Sequence, residues 1–117
     1  MLAARFLRDK GYTITASNFH SRFGEIDIIA CDARYIVFVE VKTRSEDALY
    51  APREAVTPAK QHRILQTAMV YLQGHPTELQ PRFDVVEVVT EKGQPMKIVE
   101  IDHLMGAYEA EGLGAAF

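Results

Sequence analysis

Residues 24–44, GEIDIIACDARYIVFVEVKTR, most constrain the fold of this chain. Two runs rich in β-branched residues flank a short polar segment, which is the pattern of a β-hairpin. Four ionisable residues nevertheless lie within the two apolar runs: Glu25, Asp27, Glu40 and Lys42. An isolated charge removed from water costs several kcal/mol unless it is paired, hydrogen-bonded or bound to an ion. The hairpin is therefore predicted to hold charges that stabilise one another or bind a cation.

The composition bounds the class of protein. The 117 residues are 48% apolar and 25% charged, which suits a single globular domain. We expect this domain to span residues 1–110, with a flexible tail over 111–117. The single cysteine, Cys31, excludes an intramolecular disulfide and a Cys-rich zinc site. Without a membrane-length apolar run or a signal-peptide pattern, the sequence predicts a cytoplasmic protein with no membrane partner.

The charge is unevenly distributed along the chain, although the net charge is only −3. Residues 1–63 hold ten Lys and Arg against eight Asp and Glu, a balance of +2. Residues 64–117 hold three against eight, a balance of −5. The basic charge thus accompanies the unusual hairpin. Contact with a polyanion through that half is one interpretation, and a solvated surface of mixed charge is the other.

Hydrophobic periodicity and turn residues predict the element order α-β-β-β-α-β-β-α. The first half comprises a short helix with the apolar residues Leu2, Phe6 and Leu7 and a cap at Gly11, a strand over 12–16, a polar turn over 17–24, and the two hairpin strands. The second half comprises a loop over 45–56, a helix from the N-cap Thr57 to Gly74, strands over 83–89 and 96–101 joined by a turn over 91–95, and a closing helix from Asp102 to Tyr108. One sheet of about five strands with mixed pairing and helices on its faces is expected.

The alternation of side chains along strands places Glu25 and Asp27 on one face and Glu40 and Lys42 on one face of the neighbouring strand. If these faces coincide, a register in which paired residue numbers sum to 67 sets Asp27 opposite Glu40. A register summing to 65 sets Glu25 opposite Glu40 instead. In either register, three carboxylates and one ammonium group converge.

Two interpretations fit this convergence. Opposed carboxylates repel each other and raise a pKa, and a divalent cation such as Mg²⁺ removes that repulsion by binding carboxylate, water and phosphate oxygens. Alternatively, Lys42 pairs with Glu25 or Glu40 in a structural salt bridge, and the remaining carboxylates lie in solvent. The spacing alone leaves both interpretations open, although the polar residues are in phase on two adjacent predicted strands.

The segments GEID and FVEVKTR, the TPAKQHRI helix and the RFDVVEV strand together resemble the YraN-type uncharacterised bacterial family. That family is similar to Holliday-junction resolvases and is assigned to the PD-(D/E)xK nuclease superfamily. The resemblance covers nearly the whole chain. It implies a restriction-endonuclease-like α/β fold with an αβββαβ core, and the elements predicted above follow in that order.

The resemblance implies a metal-dependent endonuclease whose D…ExK residues are Asp27, Glu40 and Lys42. Asp27, Glu40 and the backbone carbonyl of Val41 would hold Mg²⁺ or Mn²⁺, and Lys42 would contact the attacking water or the phosphate. Glu25 is either a further metal ligand or the salt-bridge partner of Lys42. The implied substrate is DNA, branched DNA in repair or recombination in particular, and a symmetric junction would suit a homodimer.

Further side chains near the motif are predicted to contact DNA phosphates. They are Arg22, Thr43, Arg44, Lys60 and Arg63. For Lys60 and Arg63 the alternative is a solvated helix face, and His20 is predicted to be a surface residue.

A rival hypothesis is a non-catalytic DNA-binding or DNA-repair adaptor that retains the nuclease fold. One departure from the family pattern favours it, because relatives carry a glutamate near the start of the first helix, whereas no acid precedes Asp9 here. A glycoside hydrolase that uses two carboxylates is the weaker rival. The chain has no tryptophan for sugar stacking, and that chemistry has no required part for Lys42.

Overall fold

The computed structural model describes residues 2–48 and 56–109. The elements are α1 (Leu2–Asp9), β1 (Thr13–Ser21), β2 (Gly24–Cys31), β3 (Tyr35–Ser45), α2 (Pro58–Gly74), β4 (Gln80–Glu91) and β5 (Gln94–Tyr108). The strands form one sheet in the order β1-β2-β3-β4-β5. Only β3 and β4 are parallel, and the other neighbours are antiparallel. The predicted α/β class with a five-stranded mixed sheet is confirmed.

Helix α1 covers one face of the sheet with a stripe of small and apolar residues. Ala3, Ala4 and Leu7 are buried. They pack on a cluster from the central strands that comprises Ile28, Ala30, Val37, Val39 and Val86. After the helix, the Gly11 N–H donates to the Arg8 carbonyl at 2.9 Å, and Gly11 has φ of 101°, which a glycine adopts without strain. The predicted short first helix is confirmed.

Helix α2 covers the opposite face and begins where the sequence predicts. The Thr57 side chain accepts a hydrogen bond from the Lys60 N–H at 3.2 Å, and Pro58 occupies the first helical position. The buried stripe of α2 consists of Ile64, Leu65, Thr67, Ala68 and Tyr71. It packs on a second apolar cluster that includes Phe38 and Phe83. Because α2 connects the parallel strands β3 and β4, its first turns lie near the β3 segment that carries Glu40.

The prediction for the first strand is wrong at its C-terminal end. The segment 17–24 was expected to be a polar turn, but β1 continues to Ser21, and the turn is confined to Arg22 and Phe23. The alternation is disturbed by a register shift between Ile14 and Ala16 and by Asn18, whose φ is 52°. These two irregularities interrupt the alternation of buried and exposed side chains that would identify a strand in the sequence. Phe19 nevertheless packs on the core, with its ring centroid 5.1 Å from that of Tyr71.

The second hairpin is confirmed, but the closing helix is wrong. Glu91 pairs with Gln94 around a tight turn in which Gly93 has φ of 73°. Strand β5 then continues to Tyr108, and Asp102 pairs with Glu87 instead of capping a helix. The long antiparallel partner β4 satisfies the backbone of this segment, so tertiary pairing overrides the local helical spacing.

Two predicted features lie partly or wholly outside the described residues. Strand β3 occupies the start of the predicted loop over 45–56, and residues 49–55 of that loop are not described. The tail over 111–117 is not described either. Within the described ranges, no helix is long and apolar enough to cross a lipid bilayer.

Candidate active site

The hairpin of β2 and β3 opens at the position of the embedded acids. Its backbone pairs run from Cys31–Ile36 to Ile28–Val39, which is the register summing to 67. The ladder ends there. The next residue of β2, Asp27, accepts a hydrogen bond from the Val41 N–H through Oδ2 at 2.7 Å. The Asp27 carboxylate thus accepts the hydrogen bond of a backbone N–H of β3. This bond holds Asp27 in the opening between the two strands.

Asp27 and Glu40 meet in this opening, on the face covered by α2. Glu40 is buried, with 6% of its surface exposed, and its carboxyl group is close enough to Asp27 to affect the pKa of that residue. Burial, together with the negative charge of Glu40, raises the pKa of Asp27 to about 6, even though the Val41 N–H works in the opposite direction. The Glu40 carboxyl group therefore opposes the ionisation of Asp27, as the opposed register predicts.

Two lysines from different elements contact the buried acid. Glu40 Oε1 lies 3.5 Å from Lys42 Nζ and 2.5 Å from Lys60 Nζ. The adjacent Lys60 ammonium, followed by burial, lowers the pKa of Lys42. Burial is the largest single influence on Lys60 and disfavours its charged form, but the contacts with Glu40 and Lys42 and the charge of Asp27 together outweigh it and raise the pKa of Lys60. The site thus holds two carboxyl groups and two amines, and Glu40 contacts both amines.

Glu25 lies at the edge of this group. Its side chain is exposed and approaches His20 Nδ1 at 3.8 Å, although its charge still contributes to the raised pKa of Asp27. Among the described residues, no group of three His, Cys, Asp or Glu side chains is arranged to hold a metal ion. In the part of the chain that the structure describes, the carboxylates at the opening are those of Asp27 and Glu40, and the side chains of Glu25 and His20 are exposed nearby.

Arg44, a predicted phosphate contact, is engaged inside the protein. Its Nε lies 2.6 Å from Oε1 of Glu87, a residue of β4 with 0% of its side chain exposed. Glu87 is also in register with Lys42 across the β3–β4 pair. Its second oxygen, Oε2, is buried without a hydrogen-bond partner in the described parts of the chain. Arg44 thus compensates a buried acid beside the site, a role that the spacing of FVEVKTR does not reveal.

The remaining predicted phosphate contacts are dispersed. Thr43 lines a groove with residues of α1, such as Leu2 and Ala3, on the sheet face away from Lys42. Arg22 is exposed in the β1–β2 turn, with its guanidinium 4.8 Å from the centre of the Phe23 ring. Arg63 is exposed on α2. The structure therefore brings Lys60 into the acid pair, keeps Arg22 and Arg63 on the α2 side, and separates Thr43.

A second cluster of charged residues, which the sequence reasoning missed, lies on the α1 face. Asp84 is fully buried and accepts hydrogen bonds from Arg82 at 2.8 and 2.9 Å, from His103 at 2.7 Å and from the Gly106 N–H at 2.9 Å. Although burial favours the neutral acid, His103 and Arg82 outweigh it and lower the pKa of Asp84. The signal was present in RFDVVEV, because Arg82 and Asp84 are two residues apart on a strand and so share a face.

This network reaches the end of α1. Arg82 donates to the Tyr12 hydroxyl at 2.6 Å, and Lys10 Nζ lies 2.7 Å from Nδ1 of His103. The His103 ring also meets the edges of Phe6 and Tyr12 at centroid distances of 6.2 and 6.0 Å. The cluster therefore ties α1 to the C-terminal strands.

In the described residues, a five-stranded mixed sheet has one helix on each face, and half-buried Asp27 meets buried Glu40 where β2 and β3 separate. These features define an α/β protein with a restriction-endonuclease-like fold. The family model described as "Uncharacterised protein family UPF0102" matches residues 1–88. The chain belongs to this family, which confirms the family resemblance seen in its motifs.

Relatives in other bacteria match nearly the whole chain. A UPF0102 protein of Syntrophomonas wolfei is 42% identical over 108 residues, which cover 92% of this chain and 90% of the relative. A UPF0102 protein of Nocardia farcinica is 47% identical over 110 residues, which cover 92% of this chain and 83% of the relative. One from Caldanaerobacter subterraneus is 40% identical over 108 residues, with coverages of 92% and 88%.

Proposed function

We propose that this protein is a metal-dependent endonuclease that hydrolyses DNA phosphodiesters, with branched DNA of repair or recombination as the substrate class. The observation that supports the proposal most directly is the opposed pair Asp27 and Glu40, with Lys42 on the same face of the sheet. An acid whose pKa is raised by burial and by a neighbouring acid costs stability when it ionises, and such costs are typical of functional sites.

The donor set at the opening fits a hard divalent cation. Mg²⁺ and Mn²⁺ bind carboxylate and carbonyl oxygens, and one or two carboxylates completed by water are a common set for Mg²⁺. Asp27 and Glu40 supply the carboxylates. The N–H and C=O of one residue in an antiparallel strand point to the same neighbour, so the Val41 carbonyl faces the side on which its N–H meets Asp27. When bound there, the ion would stabilise negative charge on the scissile phosphate.

The chain's own residues supply the remaining functions. Lys42 carries an amine whose pKa is lowered by Lys60 and by burial, so it combines a positive charge with reduced basicity. From its position beside Glu40, it orients a water molecule or opposes the charge that grows on the phosphate oxygens. Lys60, at the first turn of α2, adds a second positive charge for the DNA backbone.

A non-catalytic DNA-binding adaptor remains the second candidate because of one specific contact. Lys60 Nζ lies 2.5 Å from Glu40 and Lys42 Nζ lies 3.5 Å away, so two ammonium groups already compensate the buried acid. In that interpretation the acid cluster is a structural ion pair in a fold that only binds DNA. The two candidates differ in whether Asp27 and Glu40 are needed for cleavage.

Cleavage of a panel of branched, duplex and single-stranded DNA tests the proposal, with Mg²⁺, Mn²⁺ or EDTA present. We expect the wild type to cleave with either metal and not with EDTA. Asp27→Asn and Glu40→Gln should each lose about 100-fold or more of the rate. Glu100→Gln removes the same charge from an exposed position on β5 and is the matched control. DNA binding without metal-dependent cleavage by folded wild type would favour the adaptor.

A further inference from the structure

An open groove lies between the β1–β2 turn and the outer side of α2. Its volume is about 660 Å³, within the roughly 300–1,000 Å³ of sites that bind small organic groups. The side chains that define it are Arg22, Phe23, Gln66, Met69, Val70 and Gln73. The groove therefore combines an apolar floor with amides and one guanidinium, and the described residues that line it include no carboxylate.

The groove connects to the candidate active site along a single stripe of α2. Lys60, Arg63, Gln66, Val70 and Gln73 follow at intervals of three or four residues, so they share one side of the helix. Lys60 contacts Glu40 at one end of the stripe, and the last three residues line the groove at the other. Between them, Arg63 packs beside Gly24, where an added Cβ would lie 3.6 Å from Arg63 Cβ.

The chemistry of the groove matches a nucleobase. The Arg22 guanidinium lies 4.8 Å from the centre of the Phe23 ring, so two flat groups of a kind that stacks on bases line the groove side by side. Gln66 and Gln73 each offer an amide donor and acceptor for a base edge. Arg22 and Arg63 carry the charge that complements the adjoining phosphates.

We propose that this groove receives an unpaired base of the DNA strand whose phosphodiester lies at Asp27 and Glu40. The proposal rests on the proposed function for the position of that phosphodiester, and it specifies the substrate as DNA with unpaired bases near the cleaved bond. Val70 is ten residues from Lys60, or about 15 Å along the helix axis. In a duplex strand about four phosphates span this length, so the unpaired base is only a few nucleotides from the cleaved bond.

Fluorescence of 2-aminopurine tests the proposal with the full chain in EDTA, where cleavage does not interfere. The probe is placed at successive positions of a single strand and of a fully paired duplex, and affinity is measured by titration. We expect Phe23→Ala to weaken single-strand binding about 5- to 150-fold, the range for loss of one base–aromatic stack. Duplex affinity should change less than twofold, since a paired base cannot enter the groove.

Three further variants separate stacking from folding. Phe23→Leu keeps apolar volume without the ring and should bind like Phe23→Ala, whereas Phe23→Tyr keeps the ring and should bind like wild type. Met96→Ala removes a residue that is 93% exposed on β5 and serves as the control. Equal weakening of single-strand and duplex binding, or wild-type affinity in Phe23→Leu, would overturn the base site.

The binding experiment tests the base site and the cleavage assay tests the proposed function, so either proposal can fail without the other. If the wild type cleaves with Mg²⁺ and Phe23→Ala retains wild-type single-strand affinity, the base site fails and the proposed function stands. If single strands bind through Phe23 but no metal supports cleavage, the base site stands and the proposed function fails.

Discussion

Each face of the sheet holds an acid that accepts a backbone N–H, Asp84 on the α1 face and Asp27 on the α2 face, and the two acids differ in their side-chain partners. On the α1 face, Asp84 meets Arg82, His103 and a backbone N–H. On the α2 face, Asp27 meets Glu40, another acid. The pKa of Asp84 is lowered because these donors outweigh its burial, whereas burial and Glu40 raise the pKa of Asp27 to about 6.

This contrast separates a stabilising cluster from a candidate functional one. Asp84 is surrounded by donors, so its removal leaves buried donors and an arginine without their acceptor. Asp27 accepts one backbone hydrogen bond and is repelled by a neighbouring acid. Replacing Asp27 with a neutral residue therefore removes this repulsion. Asp84 is fully buried and Asp27 is half-buried, so burial alone would predict the larger rise in pKa for Asp84, yet its pKa is lowered and that of Asp27 is raised.

The largest expected effect is on the α1 face. Asp84→Asn removes the charge that Arg82 and His103 contact, and we expect the free energy of unfolding at pH 8 to fall by about 3–5 kcal/mol. Asp27→Asn is the same chemical change on the other face, and it should leave that free energy unchanged or higher. Urea unfolding measures both. A comparable loss in Asp27→Asn would contradict the contrast and favour a structural role for both acids.

The next effect is stabilisation by a divalent cation. Mg²⁺ or Mn²⁺ at 10 to 100 times its dissociation constant should stabilise the wild type by about 1–3 kcal/mol, because it binds the folded acid pair. Asp27→Asn and Glu40→Gln should abolish the stabilisation and remain folded, whereas Asp84→Glu, which keeps a carboxylate on the other face, should retain it. Thermal melts provide the measurement, with a monovalent salt at matched ionic strength as control. If the monovalent salt shifts the melts equally, no metal binds at Asp27 and Glu40.

The smallest effect is a pH dependence of opposite sign on the two faces. The pKa of Asp27 is about 6 in the folded protein against an ordinary value of 3.8, so the unfolded chain ionises first as the pH rises. Between pH 4 and 7, the free energy of unfolding of the wild type should therefore fall by about 1–2 kcal/mol relative to that of Asp27→Asn. This figure allows for the partial exposure of Asp27 to solvent. The contribution of Asp84 is present above pH 4 and is lost on further acidification, because its folded pKa is lowered. Urea unfolding at several pH values checks the difference, and a pH-independent difference would contradict the raised pKa of Asp27.

The sequence predicts the central part of the fold because local signals and tertiary pairing agree there. Thr57 and Pro58 start α2 as their capping preferences require. Alternation predicts the shared face of β2 and β3 and two possible registers, of which the structure has the one that sums to 67. At the two ends these signals disagree. Asn18 with positive φ and a register shift obscure β1, and the helical spacing after Asp102 yields to pairing with β4.

The candidate site is predictable to the extent that it lies within one hairpin. Asp27, Glu40 and Lys42 come together by strand parity alone. The contact of Lys60 with Glu40 depends on how the crossover helix packs, and the pair of Arg44 with Glu87 depends on parallel pairing between distant segments. Neither contact has a local signature in the sequence. The sequence therefore predicts a phosphate contact for Arg44 and predicts no role for Glu87.

The single parallel strand pair also has a consequence for folding. Every pair from Tyr35–Gln80 to Ser45–Thr90 joins residues 45 positions apart, whereas the neighbouring antiparallel pairs are local in sequence. Long-range pairing bears the larger loop-closure entropy, so closure of β3 onto β4 is expected to follow formation of the local strand pairs. In that order of events, Asp27 and Glu40 face each other before α2 docks, and the later closure of β3 onto β4 brings the Lys60 ammonium to Glu40.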